Sequence, residues 1–396
     1  MGKYKLAFLV SHPVQYMAPL FRLISRQEDI DLTVIYCSDH GVTPSVDRDF
    51  GSRVDWGVEV LEGYESVILK NHSPFDSVFA VPFGLINAGI AGFIRRGRFD
   101  ALIVHGWHYL THWLAFLASW SSGTPLFIRS EMPLNQELAK PFWKIKLKGA
   151  VLSPLFNKAS GFFAIGEQNH GFYTFYGADP GKIYEMPYAV DNEFFLRERS
   201  LLDKKRIDEL RSRMGIDPDD CVILFSGKLI DKKRPGDLLK AYGSISADNK
   251  ALIFMGDGAL RQELEDVAGK ERLSKVFFTG FRQQTELAEF FTLSDVFVLP
   301  SGAGETWGLV VNEALCFGLP VVISDLPGSG YDLVRHDWNG YVYKTGDIDT
   351  LERVLSELVA DPAKRKRFGE NSLSRIIDWD FKADVSAIRA ALNSLE

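Results

Sequence analysis

Glu305 and Glu313, with seven residues between them, and two lysines, Lys228 and Lys233, are the residues of this chain best suited to chemistry on a charged substrate. The glutamates lie in Val296-Phe-Val-Leu-Pro-Ser-Gly-Ala-Gly-Glu-Thr-Trp-Gly-Leu-Val-Val-Asn-Glu-Ala-Leu-Cys-Phe-Gly-Leu-Pro. A strand should end at Pro300, a glycine-rich loop should follow, and a helix should run from near Gly308 to Gly318. The leftover amides and dipole at such a helix start favour an anion, and Gly304 and Gly308 let a ligand approach the backbone. Carboxylates repel phosphate, so they suit hydroxyl-bearing ends: an ionised carboxylate accepts two hydrogen bonds from a vicinal diol. Glu305 precedes the helix and Glu313 should fall about one and a half turns inside it. A phosphate at the amides with a carboxylate beyond each end reads as sugar–diphosphate–ribose. On spacing alone, the commoner meaning of two such glutamates is a helix-start acid and a solvated surface residue, so the surrounding sequence has to decide.

The lysines follow another expected strand end, in Phe225-Ser-Gly-Lys-Leu-Ile-Asp-Lys-Lys-Arg-Pro. Strand-to-helix loops are where α/β sheets collect ligands. Two cations there would offset the charge growing on a departing diphosphate.

The elements that must position these groups are apolar runs of strand length separated by helix-length segments, the pattern of parallel sheets built from βαβ units. In the first half the expected strands are Lys5–Val10, Leu32–Tyr36, Ala101–Val104, Leu126–Ile128, Gly161–Ile165 and Lys182–Met186. In the second they are Val222–Phe225, Leu252–Met255, Val276–Phe278, Val296–Leu299 and Val321–Ile323. Their near-continuous hydrophobicity fits strands covered on both faces. A chain of 396 residues suits two such domains. The charged stretch Arg197–Asp220 is the expected junction, and Phe381–Leu395 has the spacing of a terminal helix. The apolar stretch Val78–Ile94 reads mostly as a buried helix; it is too broken by Pro82, Gly84 and Gly89 to span a membrane.

Taken together, Gly227-Lys-Leu with Lys233, Met255-Gly-Asp-Gly, Val276-Phe-Phe-Thr-Gly-Phe, Ser294-Asp-Val-Phe-Val-Leu-Pro-Ser and the block Gly304–Val322 resemble the retaining glycosyltransferases of family 4. The resemblance covers nearly all of the second half. It implies the GT-B fold, two Rossmann-like doubly wound α/β domains facing a cleft: 1–198 on the acceptor side, 199–378 binding the nucleotide sugar, and a helix in 379–396 packing back on the first. It also implies roles. Lys233, with Lys228 where the family usually has arginine, would hold the diphosphate, Glu305 the transferred sugar and Glu313 the ribose. Thr306, Trp307, Gly308 and Leu309 would meet phosphate and sugar through their amides, and Phe281 and Arg282 would frame the base. Lysine at 228 keeps the charge but loses the planar fork of arginine.

The first half matches more loosely. Ser11-His-Pro-Val-Gln-Tyr stands where the family has a glycine-rich loop, and would turn His12, Gln15 and Tyr16 toward the cleft; a helix cap and a packed aromatic are the plainer alternative. Two further strand-end loops hold His105 and Arg129-Ser-Glu. Arg129 falls where many relatives have histidine; it cannot titrate as a base but can orient hydroxyls or phosphate. Glu131, His12, His105 or the donor phosphate itself then remain as acceptor bases. Lys140-Pro-Phe-Trp-Lys-Ile-Lys-Leu-Lys mixes cations with large apolar residues. Its lysines alternate and make no single helical face, which favours a helix packed on the sheet; peripheral contact with anionic lipid is the other reading.

The function implied is transfer of a sugar from a nucleotide diphosphate, UDP being the commonest in the family, to a glycan, lipid-linked or small-molecule acceptor, with no metal or other cofactor. A nucleotide-sugar epimerase, hydrolase or phosphorylase-like enzyme on the same donor site is the alternative. A dehydrogenase would need Gly-x-Gly-x-x-Gly after an early strand, and Val10-Ser-His-Pro-Val-Gln lacks it. Net charge −7 argues against nucleic acid as partner. Three scattered cysteines without metal or redox spacing fit a reducing, cytoplasmic setting.

Overall fold

The computed structural model describes residues 3–42, 45–47, 52–54 and 59–396. Its strands are β1 (Tyr4–Val10), β2 (Ile30–Tyr36), β3 (Ser45–Asp47), β4 (Ser52–Val54), β5 (Glu65–Ile68), β6 (Ala101–His105), β7 (Leu126–Arg129), β8 (Gly161–Ala164), β9 (Ile183–Glu185), β10 (Cys221–Ser226), β11 (Lys250–Met255), β12 (Val276–Gly280), β13 (Val296–Leu299), β14 (Val321–Ser324) and β15 (Gly340–Tyr343). Two compact units form. One holds the sheet β5-β2-β1-β6-β7-β8-β9 and includes Phe381–Glu396; the other, Ala189–Asp380 together with β3 and β4, holds β12-β11-β10-β13-β14-β15. Both sheets are parallel throughout. The central strands are buried along nearly their whole length, as βαβ crossovers on both faces require.

Strand order sets where ligands can gather. In the first unit the chain winds outward from β1 through β2 to β5, then returns to β6 on the other side of β1. In the second it winds from β10 through β11 to β12, then returns to β13 beside β10. The loops after β1 and β6, and those after β10 and β13, therefore diverge at topological switch points, where a crevice opens beyond the strand ends.

Four strands escaped the sequence reading: β3 and β4, each only three residues long, and β5 and β15. β5 and β15 lie at sheet edges and lack the continuous apolar run of a central strand; in β5 no residue is fully buried. The expected helix Val78–Ile94 is also corrected. Helix begins only at Ile90, and 78–89 is a loop closed by bonds such as Gly84 N–H to the Ala80 carbonyl. Pro82 supplies no amide and its ring blocks a helical turn.

The junction also moves. Arg197–Asp220 is not a linker; it falls mostly within two helices of the second unit, Asn192–Leu201 and Lys204–Met214. Asp203 caps the latter by accepting from the Arg206 amide at 2.8 Å, and Gly215, at φ +73°, ends it. The charge belongs to solvated helix faces. The boundary falls at 188/189 rather than at 198/199, because Asn192 bonds the Ile376 and Trp379 carbonyls and Phe195 packs on Phe317. The last helix, Phe381–Asn393, is part of the first unit. It buries Phe381, Val385, Ile388 and Leu392, and Arg389 clasps Asp29 through two hydrogen bonds of 2.7 and 2.8 Å. Among the described residues, no helix is long and apolar enough to cross a membrane.

Candidate active site

In the second unit both lysines and both glutamates sit at the switch point. After β10 the chain turns through Gly227–Ile230, makes a single 3₁₀ turn at Asp231–Lys233, and reverses at Arg234 (φ +52°) into the helix Pro235–Ser244. After β13 it runs through Ser301–Leu309 into the helix Val310–Cys316. The two loops are joined through their backbones, the Gly302 amide donating to the Lys232 carbonyl at 2.7 Å. Lys233 and Glu305 consequently meet in an ion pair, with side chains only 13% and 10% exposed. Ser301 donates to Glu305 from 3.3 Å and its carbonyl takes the Ser324 hydroxyl. The Met255-Gly-Asp-Gly turn braces the lysine loop. A Cβ on Gly256 would lie 1.9 Å from the Gly227 carbonyl oxygen, and one on Gly258 2.5 Å from that of Leu229. Only glycine fits this close approach at φ near +150°.

Glu313 is the fourth residue of its helix, not one and a half turns in, because the helix starts at Val310 rather than Gly308. Gly308 is held at φ +91°, where a Cβ would strike Leu299 at 2.6 Å. Glu313 lies within reach of the Lys233 charge. Burial pushes its carboxyl up to about 8, and Lys233 offsets this only in part. The site thus brings Lys228 and Lys233 together with an ion-paired Glu305 and a mostly protonated Glu313.

The remaining second-unit residues take different roles. Leu309 and Gly308 stand at the helix opening, where amides have no intrahelical carbonyl to bond. Thr306, half-buried, uses its carbonyl to accept from Gly328. The Trp307 ring is buried: it donates to Asn312 at 2.9 Å and stacks on Trp379 at 5.6 Å, so what it offers a ligand is backbone. Phe281 and Arg282 follow the edge strand β12, two strands from β10; Arg282 bonds Glu286 at 3.2 Å and lies over the Phe290 ring.

The first unit gathers its candidates at its own switch point. His105 ends β6 and pairs in register with Arg129 at the end of β7. Its Nδ1 lies 3.3 Å from Arg129 Nη1 and its Nε2 3.2 Å from Glu131. Because arginine only donates and an ionised carboxylate only accepts, Nε2 carries the proton and both ring nitrogens are engaged. Tyr188 donates to the same Glu131 oxygen at 2.6 Å, its ring lies 5.2 Å from the Arg129 guanidinium, and Tyr16 packs on it at 5.7 Å. Burial would raise Glu131, but the bonds from His105 and Tyr188 and the Arg129 charge outweigh it and bring the carboxyl to about 2. Arg129 is 1% exposed.

His12 stands apart from this network. Its Nδ1 is 2.9 Å from the Ser11 hydroxyl, its ring is 5.2 Å from that of His40, and burial, with charge from His40 and His105, lowers it to about 4. Gln15 is half-buried in the turn before the helix Ala18–Ser25. Ser301, Tyr188 and His40 were not singled out from the sequence. Ser301 alone carried a signal, standing beside Gly302 in the strand-end loop. Among the described residues, no group of three or more His, Cys, Asp or Glu side chains is placed to hold a metal ion.

Residues 206–375 match the family model described as Glycosyl transferases group 1. The D-inositol 3-phosphate glycosyltransferase of Xylanimonas cellulosilytica is 27% identical over 391 residues, covering 92% of this chain and 88% of that protein. Anabaena HepE, solved in complex with UDP, superposes with a TM-score of 0.75 at 17% identity over 98% of this chain and 100% of its own. The sucrose-phosphate synthase of Thermosynechococcus elongatus gives 0.72 at 16% over 99% of each. At those identities the structural likeness is one of fold.

Proposed function

Since the chain belongs to the glycosyl transferases group 1, the family 4 glycosyltransferases of GT-B fold, we propose that its second unit binds a UDP-sugar and that the enzyme passes the sugar, with retention, to an acceptor hydroxyl. The observation that carries the reading is the buried Lys233–Glu305 pair at the β10/β13 switch point, with Glu313 within reach of the same lysine charge. HepE binding UDP on the same fold supports the choice of base.

In this reading Lys233 and Lys228 take the diphosphate, the opening amides of Gly308 and Leu309 a phosphate or sugar oxygen, Glu305 the transferred sugar and Glu313 the ribose diol. The bond from the sugar's anomeric carbon to the diphosphate breaks as the lysines absorb the leaving charge. A bond to the acceptor oxygen forms on the same face, and the acceptor proton passes to the departing phosphate oxygen. No metal enters this scheme. His105 has both nitrogens engaged, so with Arg129 and Glu131 it is assigned to holding the first unit's loops. His12, neutral across the physiological range, is assigned to hydrogen-bonding the acceptor. The acceptor class stays as broad as glycan, lipid-linked or small hydroxyl compounds. Three buried free thiols agree with work in the cytoplasm.

The test is thermal stabilisation by a panel of nucleotide sugars, followed by product analysis with the one that binds. A UDP-sugar should raise Tm, and Lys233→Ala should abolish the rise. A product with the donor's anomeric configuration supports transfer with retention. Release of free sugar alone, at the full rate and with acceptors present, would make the protein a hydrolase.

A further inference from the structure

The helix Phe142–Phe156 has two faces. Leu152, Leu155 and Phe156 are buried in the first unit's core. Trp143, Leu147 and Val151 recur every four residues and so line a single stripe, which points away from that core with exposures of 62%, 64% and 46%. Lys144 and Lys146, which in the sequence make no common face, fall on opposite flanks of this stripe. Their ammonium groups lie 5.4 and 5.3 Å over the rings of Trp143 and Phe142. The helix contains no acidic residue, in a chain whose net charge is −7.

The same unit exposes a second set of apolar side chains. Phe75, Phe79, Val81 and Phe83 are 63%, 60%, 54% and 55% exposed. Their loop is fastened to the segment after β6 by the Leu110 amide, which donates to the Pro82 carbonyl at 3.1 Å. Trp107 of that same segment packs on Phe156 of the helix at 5.9 Å.

We propose that the stripe seats the first unit on an anionic lipid surface, Trp143, Leu147 and Val151 entering the interface and the flanking lysines meeting headgroups. Exposed aromatic and aliphatic side chains gain by leaving water, rings of this kind favour the headgroup boundary, and lysines held near it are drawn by the negative surface potential. A second copy is a poorer occupant: a two-fold contact through the stripe would set like-charged flanks against each other. The proposal concerns the first unit and needs no substrate, so its failure leaves the sugar-transfer reading untouched.

The full chain should co-sediment with vesicles of phosphatidylglycerol and phosphatidylcholine, and much less with phosphatidylcholine alone. Trp143→Ser combined with Leu147→Ser should abolish binding. Lys144→Gln and Lys146→Gln should each weaken it about fivefold and leave less for added salt to remove. All four positions are exposed, so unchanged Tm in each variant separates lost binding from lost fold. Absence of wild-type binding to the anionic vesicles, or variants that bind as the wild type does, would overturn the proposal. So would a stripe whose substitution dissolves a dimer while vesicle binding persists.

Discussion

The two switch points share a topology and use their polar groups in opposite ways. In the first unit Arg129 and Glu131 cancel, and His105 and Tyr188 spend their hydrogen bonds on Glu131 and Arg129. In the second, a mostly buried lysine pairs with one glutamate and its charge reaches another, which stays largely protonated, beside a further lysine and a helix opening. A densely bonded network holds its loops in place; in the proposed function the second site's lysines and helix opening receive an anion. Similar residue types at similar places in a sheet therefore end in different bonding, to which the proposed function gives different tasks.

The sharpest way to break this contrast is at Lys233. Lys233→Ala should reduce transfer by about a hundredfold or more and also destabilise the second unit, by roughly 3–5 kcal/mol, because Glu305 is left buried without its partner. Replacing both, Lys233→Met with Glu305→Gln, should recover most of the stability and none of the activity. Turnover and urea midpoints measured side by side distinguish the two effects.

Glu131→Gln should invert that pattern, costing about 1–3 kcal/mol of stability with a much smaller loss of transfer. Because the folded carboxyl titrates near 2 and an unfolded one near 4.5, the unfolded chain binds more protons between those values. The native contribution is therefore full above about pH 4.5 and lost as pH falls toward 2, and the glutamine variant should show a flatter acid limb in thermal melts.

Glu313 should respond in the other direction. Its folded carboxyl keeps the proton to about 8, so the unliganded protein loses stability as pH rises from about 4.5 through 8. Glu313→Gln should flatten that slope. Donor affinity in the parent should strengthen as pH rises toward 8, since the ionised carboxylate is the better acceptor for a diol; a pH series of calorimetric titrations checks both signs. The smallest change should come from Lys228→Arg, which keeps the charge and should alter transfer by no more than about fivefold.

How far the sequence could be read depended on whether a residue's task is local. β10, β11 and β13 announce themselves as apolar runs, and Gly308 and the glycines after β11 stand where backbones must approach. The edge strands and the loop 78–89 were misjudged because apolar content says how much surface a segment carries, not which elements cover it; Phe79, Val81 and Phe83 look like core and lie outside. The packing of the Trp307 ring against Trp379, 72 residues on in the sequence, was not legible from the glycine-rich segment that holds it.

Residue order alone determined two parallel α/β units and the loops that hold Lys228, Lys233, Glu305 and Glu313, because period, strand ends and glycine positions are written in consecutive residues. Tertiary structure decided that Lys233 would pair with Glu305, that Glu313 would be buried enough to hold its proton, and that both nitrogens of His105 would be occupied. Those outcomes depend on strand order and on distances between residues far apart in the chain, and charge and proton affinity follow such distances steeply.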